Sequence, residues 1–194
     1  KIALVFEDKK FTYKQLDEMS NSLAHYLREE KGIKPNDIVP IIAKRSWHII
    51  VAMLGILKAG GAYLPVSTDL PSDRINHMLY ESNSRFALIY SIQPDVDIDL
   101  IDLNYIEYNE HIQAVDNINN ANDLCYVLFT SGSTGKPKAT MISHNNLSNF
   151  VYKNSVNNIY QCNMVNCCDT VLALTTFSFD ISVFEIYLSL ININ

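Results

Sequence analysis

The chain has 194 residues, 48% of them hydrophobic and 19% charged, a balance that supports a buried core and excludes a disordered polar tract. Fifteen Lys and Arg against twenty-one Asp and Glu leave a formal charge of -6, which offers no electrostatic footprint for nucleic acid or an anionic membrane surface. The most apolar stretch, 38–66, is broken by Lys44, Arg45, His48 and Lys58 too often to span a bilayer.

In chain order, strand-like Ile2-Ala3-Leu4-Val5-Phe6 comes first, followed by Thr12-Tyr13-Lys14-Gln15, which has the form of a capping box. Leu16, Met19, Leu23 and Leu27 then recur at helical spacing until Gly32 and Pro35. Residues 38–43 form an apolar run of strand length, 46–57 return to helical periodicity through Ile49, Met53, Ile56 and Leu57, and Gly60-Gly61 ends that helix. Ala62 to Val66 reads as a second buried strand. Pro71-Ser72 starts a further helix with Ile75, Met78 and Leu79 on one face, before the apolar strand 86–90. Strands alternating with helices, the strands nearly continuously apolar, predict an α/β fold around a mainly parallel sheet with helices on its faces.

No Lys or Arg lies between Arg85 and Lys136, an interval holding Asp95, Asp97, Asp99, Asp102, Glu107, Glu110, Asp116 and Asp123. An EF-hand would need a central Gly and a terminal Glu at fixed offsets, so this interval reads as a solvated acidic loop, with its asparagines a compositional bias. Cys125, Cys162, Cys167 and Cys168 lack the paired spacing of a zinc framework and the density of a disulfide scaffold, and read as reduced thiols of a cytoplasmic protein. Further on, 124–129 reads as a strand, 139–142 as another, a helix follows from about Asn145, 170–174 reads as an apolar strand, and 181–190 as helical. The chain begins in a strand and stops within an apolar run at Ile193-Asn194, so it is expected to be a piece of a longer sequence, one domain and a fraction in length.

Two segments at the carboxyl ends of strands carry chemistry, where ligands of open parallel sheets gather. In Thr130-Ser131-Gly132-Ser133-Thr134-Gly135-Lys136-Pro137-Lys138, glycines permit the turns that point successive N–H groups inward, four hydroxyls add donors and two lysines add charge. That set suits a polyphosphate; a Ser/Gly-rich hairpin or linker is the plain alternative. A P-loop is excluded, because Thr130 stands where its first Gly belongs and Pro137 where its Ser or Thr belongs. The second segment is Phe179-Asp180-Ile181-Ser182-Val183-Phe184-Glu185, in which Asp180 alone would suit a helix N-cap. His144 reads as a structural residue opening a helix, and Trp47 as core or groove lining.

The 130–138 segment resembles the phosphate-binding signature of the acyl-adenylate-forming superfamily of AMP-dependent synthetases and ligases, which includes acyl-CoA synthetases, luciferases and nonribosomal-peptide-synthetase adenylation domains. Phe11-Thr12-Tyr13-Lys14-Gln15-Leu16, Leu57-Lys58-Ala59-Gly60-Gly61-Ala62-Tyr63-Leu64-Pro65-Val66 with Leu70-Pro71-Ser72-Asp73-Arg74-Ile75, and 179–185 resemble the first, second and fourth core motifs of the adenylation domains, in the family's order. One departure is Ala139, where the signature usually ends in Gly; Ala allows close backbone approach if its φ is negative.

The resemblance implies ATP-dependent activation of an amino acid as its aminoacyl-adenylate, then transfer to the phosphopantetheine thiol of a carrier domain. It implies that Thr130, Ser131, Gly132, Ser133, Thr134, Gly135 and Lys138 hold the β- and γ-phosphates, with Lys136 nearer solvent. Asp180 would bind the substrate α-ammonium, Phe179 would shape the site near the carboxylate, and Ile181 and Phe184 would line the side-chain pocket. It implies ATP and Mg2+, and carrier-protein and condensation domains as partners. Residues 1–194 would be an incomplete N-terminal core subdomain, competent only in the full-length chain. The C-terminal subdomain, the catalytic Lys, the ribose-binding Asp and the metal-coordinating acid would all lie beyond Asn194. An acyl- or aryl-CoA ligase and a non-catalytic nucleotide-binding remnant are the alternatives.

Overall fold

A computed structural model describes residues 1–131, 137–151 and 170–192. At the front, β1 (Ile2–Phe6) pairs antiparallel with β2 (Lys9–Thr12). The apolar pattern misses β2, because it opens on two lysines and owes its pairing to the hairpin. Thr12 then caps α1 (Tyr13–Glu29): its Oγ1 accepts from Gln15 N at 3.2 Å, and Gln15 Oε1 accepts from Thr12 N at 2.9 Å. Leu16, Leu23, Ala24 and Leu27, on one helical stripe, are all buried.

They meet α2 (Trp47–Ala59), which ends where Gly60 turns to a φ of 109° and donates to Ile56 O and Leu57 O. The two helices touch at Gly55, where a Cβ would lie 2.8 Å from Leu23 Cδ2. Arg28 finishes this junction, donating to Lys58 O at 2.7 Å and Ala59 O at 3.1 Å, so a cation satisfies the last carbonyls of α2.

The main sheet comprises β3 (Ile38–Ala43), β4 (Ala62–Val66), β5 (Phe86–Tyr90), β6 (Asp99–Asp102), β7 (Leu124–Ser131) and β8 (Pro137–Ser143), in the order β6-β5-β3-β4-β7-β8. All neighbours are parallel except β7 and β8, which form an antiparallel edge. The α/β architecture with a mainly parallel sheet is as expected. Helices α1 and α2 pack in one apolar cluster on one face, and α3 (Ser72–Glu81) packs in a second cluster on the other. The loops after the adjacent strands β3 and β4 therefore leave toward opposite faces, which opens a crevice at the carboxyl ends of these strands.

Two expectations are corrected. Asp99–Asp102 is an edge strand, not solvated loop: one partner, β5, suffices to order it, and exposed acids suit an unpaired edge. Residues 170–174, read as a strand, pair with no strand among the described residues, and Leu172 and Leu174 are 73% and 72% exposed. The rest of the acidic interval is irregular yet tied down along α1. Asn21 Nδ2 donates to Ile112 O, Ser22 Oγ to Glu107 O and Arg28 to Asp116 O, while a His25 ring nitrogen lies 3.2 Å from Gln113 O. Ser143 caps α4 (His144–Val151) through reciprocal bonds with Asn146. Helix α5 opens at Asp180–Val183, widens into a π-helical turn over Phe184–Leu188 and closes at Ser189–Asn192. Among the described residues no helix is long and apolar enough to cross a membrane.

Candidate active site

Strand β7 delivers the first half of the site. Its alternation turns Tyr126 and Leu128 into the cluster shared with α1, α2 and α5, and Val127 and Phe129 toward the cluster of α3. By the same period Thr130 falls on the α5 side. Lys138 lies directly opposite Thr130 across the hairpin, and Ser131 opposite Pro137, so Thr130 and Lys138 share one face; both are exposed. Residues 132–136, which hold Gly132, Ser133, Thr134, Gly135 and Lys136, lie outside the described residues, as do Cys162, Cys167 and Cys168. Ala139 pairs with Phe129 inside β8 and is not among the positive-φ residues, so the departure from Gly carries no backbone strain.

The second half is the start of α5. Val183, Ile186 and Tyr187 are buried, whereas Asp180 and Ile181 in the first turn are exposed. Asp180 is the first helical residue, and Phe179, not Asp180, is the N-cap. Asp180 Oδ1 accepts from Ile181 N at 2.8 Å, and Asp180 is exposed, as are Phe179 and Ile181. Phe184 is half-buried and meets Phe150 of α4 edge-on at 5.8 Å. Asp180 lies within electrostatic reach of β7. The Tyr126 phenol is pushed up to about 12, chiefly by burial and then by neighbouring Cys125 and the Asp180 carboxylate.

The core behind β7 is apolar and aromatic. Tyr63 of β4 stacks on Tyr126 at 5.4 Å, and burial holds the phenols of Tyr63 and Tyr187 well above their usual range. Cys125 beneath them is buried and free, its thiol pushed up to about 12 by burial, which makes it an inert core residue. His144 is structural: Nε2 lies 3.0 Å from Asn119 Nδ2, its N–H donates to Asp123 O, and burial lowers its pKa. Trp47 packs against Phe11, His48 and Tyr108 in the core. Among the described residues no group of three or more His, Cys, Asp or Glu is placed to hold a metal ion.

Sequence patterns do not reveal what supports the Asp180 segment. Arg45, in the loop after β3, donates to the carbonyls of Ala173, Leu174 and Thr175, contacts that span 128 to 130 residues. Glu185 accepts from Thr175 N and Oγ1. The one local signal is position, since Arg45 follows a central strand at its carboxyl end.

The chain is similar to known proteins over nearly its whole length. The family model for AMP-binding enzyme matches residues 1–192. Bacitracin synthase 3 of Bacillus licheniformis is 42% identical over 193 residues, 98% of this chain but 3% of that protein. Zwittermicin A synthase ZmaJ of Bacillus cereus is 38% identical over 191 residues, 96% of this chain and 35% of that protein. The structure of FmoA3, a nonribosomal peptide synthetase with α-methyl-L-serine-AMP bound, is matched with a TM-score of 0.85 at 26% identity, over 97% of this chain and 21% of that one. The N-terminal subdomain of NpsA from Klebsiella oxytoca is matched with a TM-score of 0.81 at 26% identity, over 100% of this chain and 49% of that one. The chain thus spans a small part to about half of the proteins it matches. It belongs to the AMP-binding enzyme family, and its likeness within that family is to the N-terminal core of nonribosomal-peptide-synthetase adenylation domains.

Proposed function

We propose that the complete protein containing this chain activates an amino acid with ATP, forming an aminoacyl-adenylate and pyrophosphate, and passes the acyl group to a carrier-domain phosphopantetheine thiol. What supports this is the exposed Asp180 carboxylate, near enough to Tyr126 of β7 to act on its phenol, together with Thr130 and Lys138, which face each other across β7 and β8. A carboxylate there pairs with a substrate ammonium and penalises acids that lack one. Thr130 lies four residue steps beyond Tyr126 along the strand, about 13 Å, a span that suits a substrate carboxylate at one end and the outer phosphates of ATP at the other.

The work of Thr130, Ser131, Gly132, Ser133, Thr134, Gly135, Lys136 and Lys138 is to bind and neutralise the phosphates, while attack on the α-phosphate comes from the substrate carboxylate. Phe179, Ile181 and Phe184 complete the substrate side. Residues 1–194 supply the front of the core subdomain, and the groups that hold Mg2+ and ribose, with the catalytic Lys, come from the remainder of the full-length protein. The multidomain synthases among the relatives support carrier and condensation domains as neighbours.

A second possibility has its own observation: NpsA is also matched with 3-hydroxybenzoyl-AMSN bound, an aryl-acyl ligand. Asp180 separates the two. In the intact protein Asp180→Ala should cut amino-acid-dependent ATP–pyrophosphate exchange on the order of a hundredfold. Unchanged exchange would remove the amino-acid assignment.

A further inference from the structure

Residues 170–176 pose a problem of support. Among the described residues they pair with no strand, and Leu172 and Leu174 are mostly exposed. Yet they lead directly into Phe179 and Asp180. Among the described residues two side chains hold them. Arg45 enters from the β3–α2 loop, at the crevice between the loops after β3 and β4, and donates to Ala173 O, to Leu174 O at 2.8 Å and to Thr175 O at 2.8 Å. Glu185 reaches from α5, its carboxylate accepting from Thr175 N at 3.1 Å and Thr175 Oγ1 at 2.8 Å.

Thr175 is thus gripped at its carbonyl by a cation and at its N–H and hydroxyl by an anion. From there Phe179 N donates to Thr176 O at 3.1 Å, and buried Ser182 Oγ donates to Phe177 O and Phe179 O, which fixes the turn that presents Asp180. Among the described residues Arg45 forms no ion pair with an acid, and its recorded hydrogen bonds all go to these carbonyls. Three carbonyls shared between two guanidinium nitrogens match a planar, multi-donor group, whereas an ammonium is a point charge on a shorter reach.

We propose that Arg45 and Glu185 are positioning residues for substrate recognition, bracketing Thr175 so that the Phe179–Asp180 turn is preorganised for the carboxylic-acid substrate. This rests on the proposed role of the Asp180 segment in substrate binding. The recorded side-chain hydrogen bonds of Arg45 and Glu185 are all with the backbone and side chain of 173–175, so the two residues act on recognition through that segment. Their loss should therefore appear in the substrate acid's KM and in discrimination against the des-amino analogue, not in the KM for ATP.

The test uses ATP–pyrophosphate exchange by the intact protein, with KM measured separately for ATP and for the acid that supports exchange. Arg45→Lys keeps the charge and loses the fork; Thr175→Val keeps the shape and loses the Oγ1 bond to Glu185, so folding is preserved in at least one variant. The acid's KM should rise about tenfold or more for Arg45→Lys and about threefold for Thr175→Val, with the KM for ATP within about twofold. Thr175→Ser, which retains the hydroxyl, should restore most of the Thr175→Val loss. An unchanged KM for the acid in both variants, or equal rises in both KM values, overturns the bracket. If the unmodified protein is driven by an acid without an amine, the amino-acid assignment falls, and the bracket is still decided by the KM shift for that acid.

Discussion

Lys138 and Thr130 face each other across the β7–β8 pair, and the register that puts them on one side of the strand also puts them on the side of α5. A lysine so exposed contributes little to stability, which leaves its charge available to a ligand. Lys138→Ala in the intact protein should raise the KM for ATP about tenfold in the exchange assay and leave the KM for the amino acid within about twofold. Equal changes in both would place Lys138 outside the phosphate site. Arg45 shows the limit of residue-level pattern: its type and loop position are evident from the sequence, but its three acceptors lie 128 to 130 residues away and nothing local announces them.

At the scale of elements, β3, β4 and β5 were legible because strands buried on both faces read as continuous apolar runs, and α1 and α2 because they carry caps as well as periodicity. The failures share a cause. Strands β2 and β6 are polar and ordered by a partner, so no apolar pattern marks them, while 170–174 is apolar but held through its carbonyls by a side chain instead of a ladder. Of the candidate site, Thr130, Lys138 and the α5 residues were legible from motif and position, but their shared face follows only from the register of β7 with β8. The α1–α2 contact gives an elemental test. Gly55→Ala adds a Cβ within 2.8 to 3.0 Å of three atoms of fully buried Leu23, the nearest to its backbone included. That crowding should outweigh the ~1 kcal/mol that Ala gains in helix propensity, for a net loss of about 1–2 kcal/mol in urea unfolding of the intact protein. A stabilised variant would show that the two helices separate freely.

For the whole molecule, His48 links folding to pH. Its ring is stacked on Trp47 at 3.6 Å and on Tyr90 at 3.9 Å, and its Nδ1 has no hydrogen-bond partner among the described residues. Burial, then the charge of Lys9, lowers its pKa from 6.5 to about 4. The unfolded chain takes the proton first as pH falls, so the stabilisation is complete above about pH 6.5 and is lost on the way down to about 4, on the order of 3 kcal/mol in all. Replacing His48 by Phe, which keeps the stacking, should flatten urea midpoints between pH 6.5 and 4; an unchanged slope assigns the loss to other groups.

The acidic interval concentrates the negative charge along α1 and β6, away from the Thr130–Lys138 face, so the net charge of -6 is compatible with a polyphosphate ligand. The most direct measurement is ATP–pyrophosphate exchange by the intact protein across the amino acids, each set beside its des-amino analogue and with aryl acids in parallel. Exchange should depend on an amino acid and fail with the same acid lacking its amine. Exchange driven equally well by a des-amino or aryl acid would contradict the account.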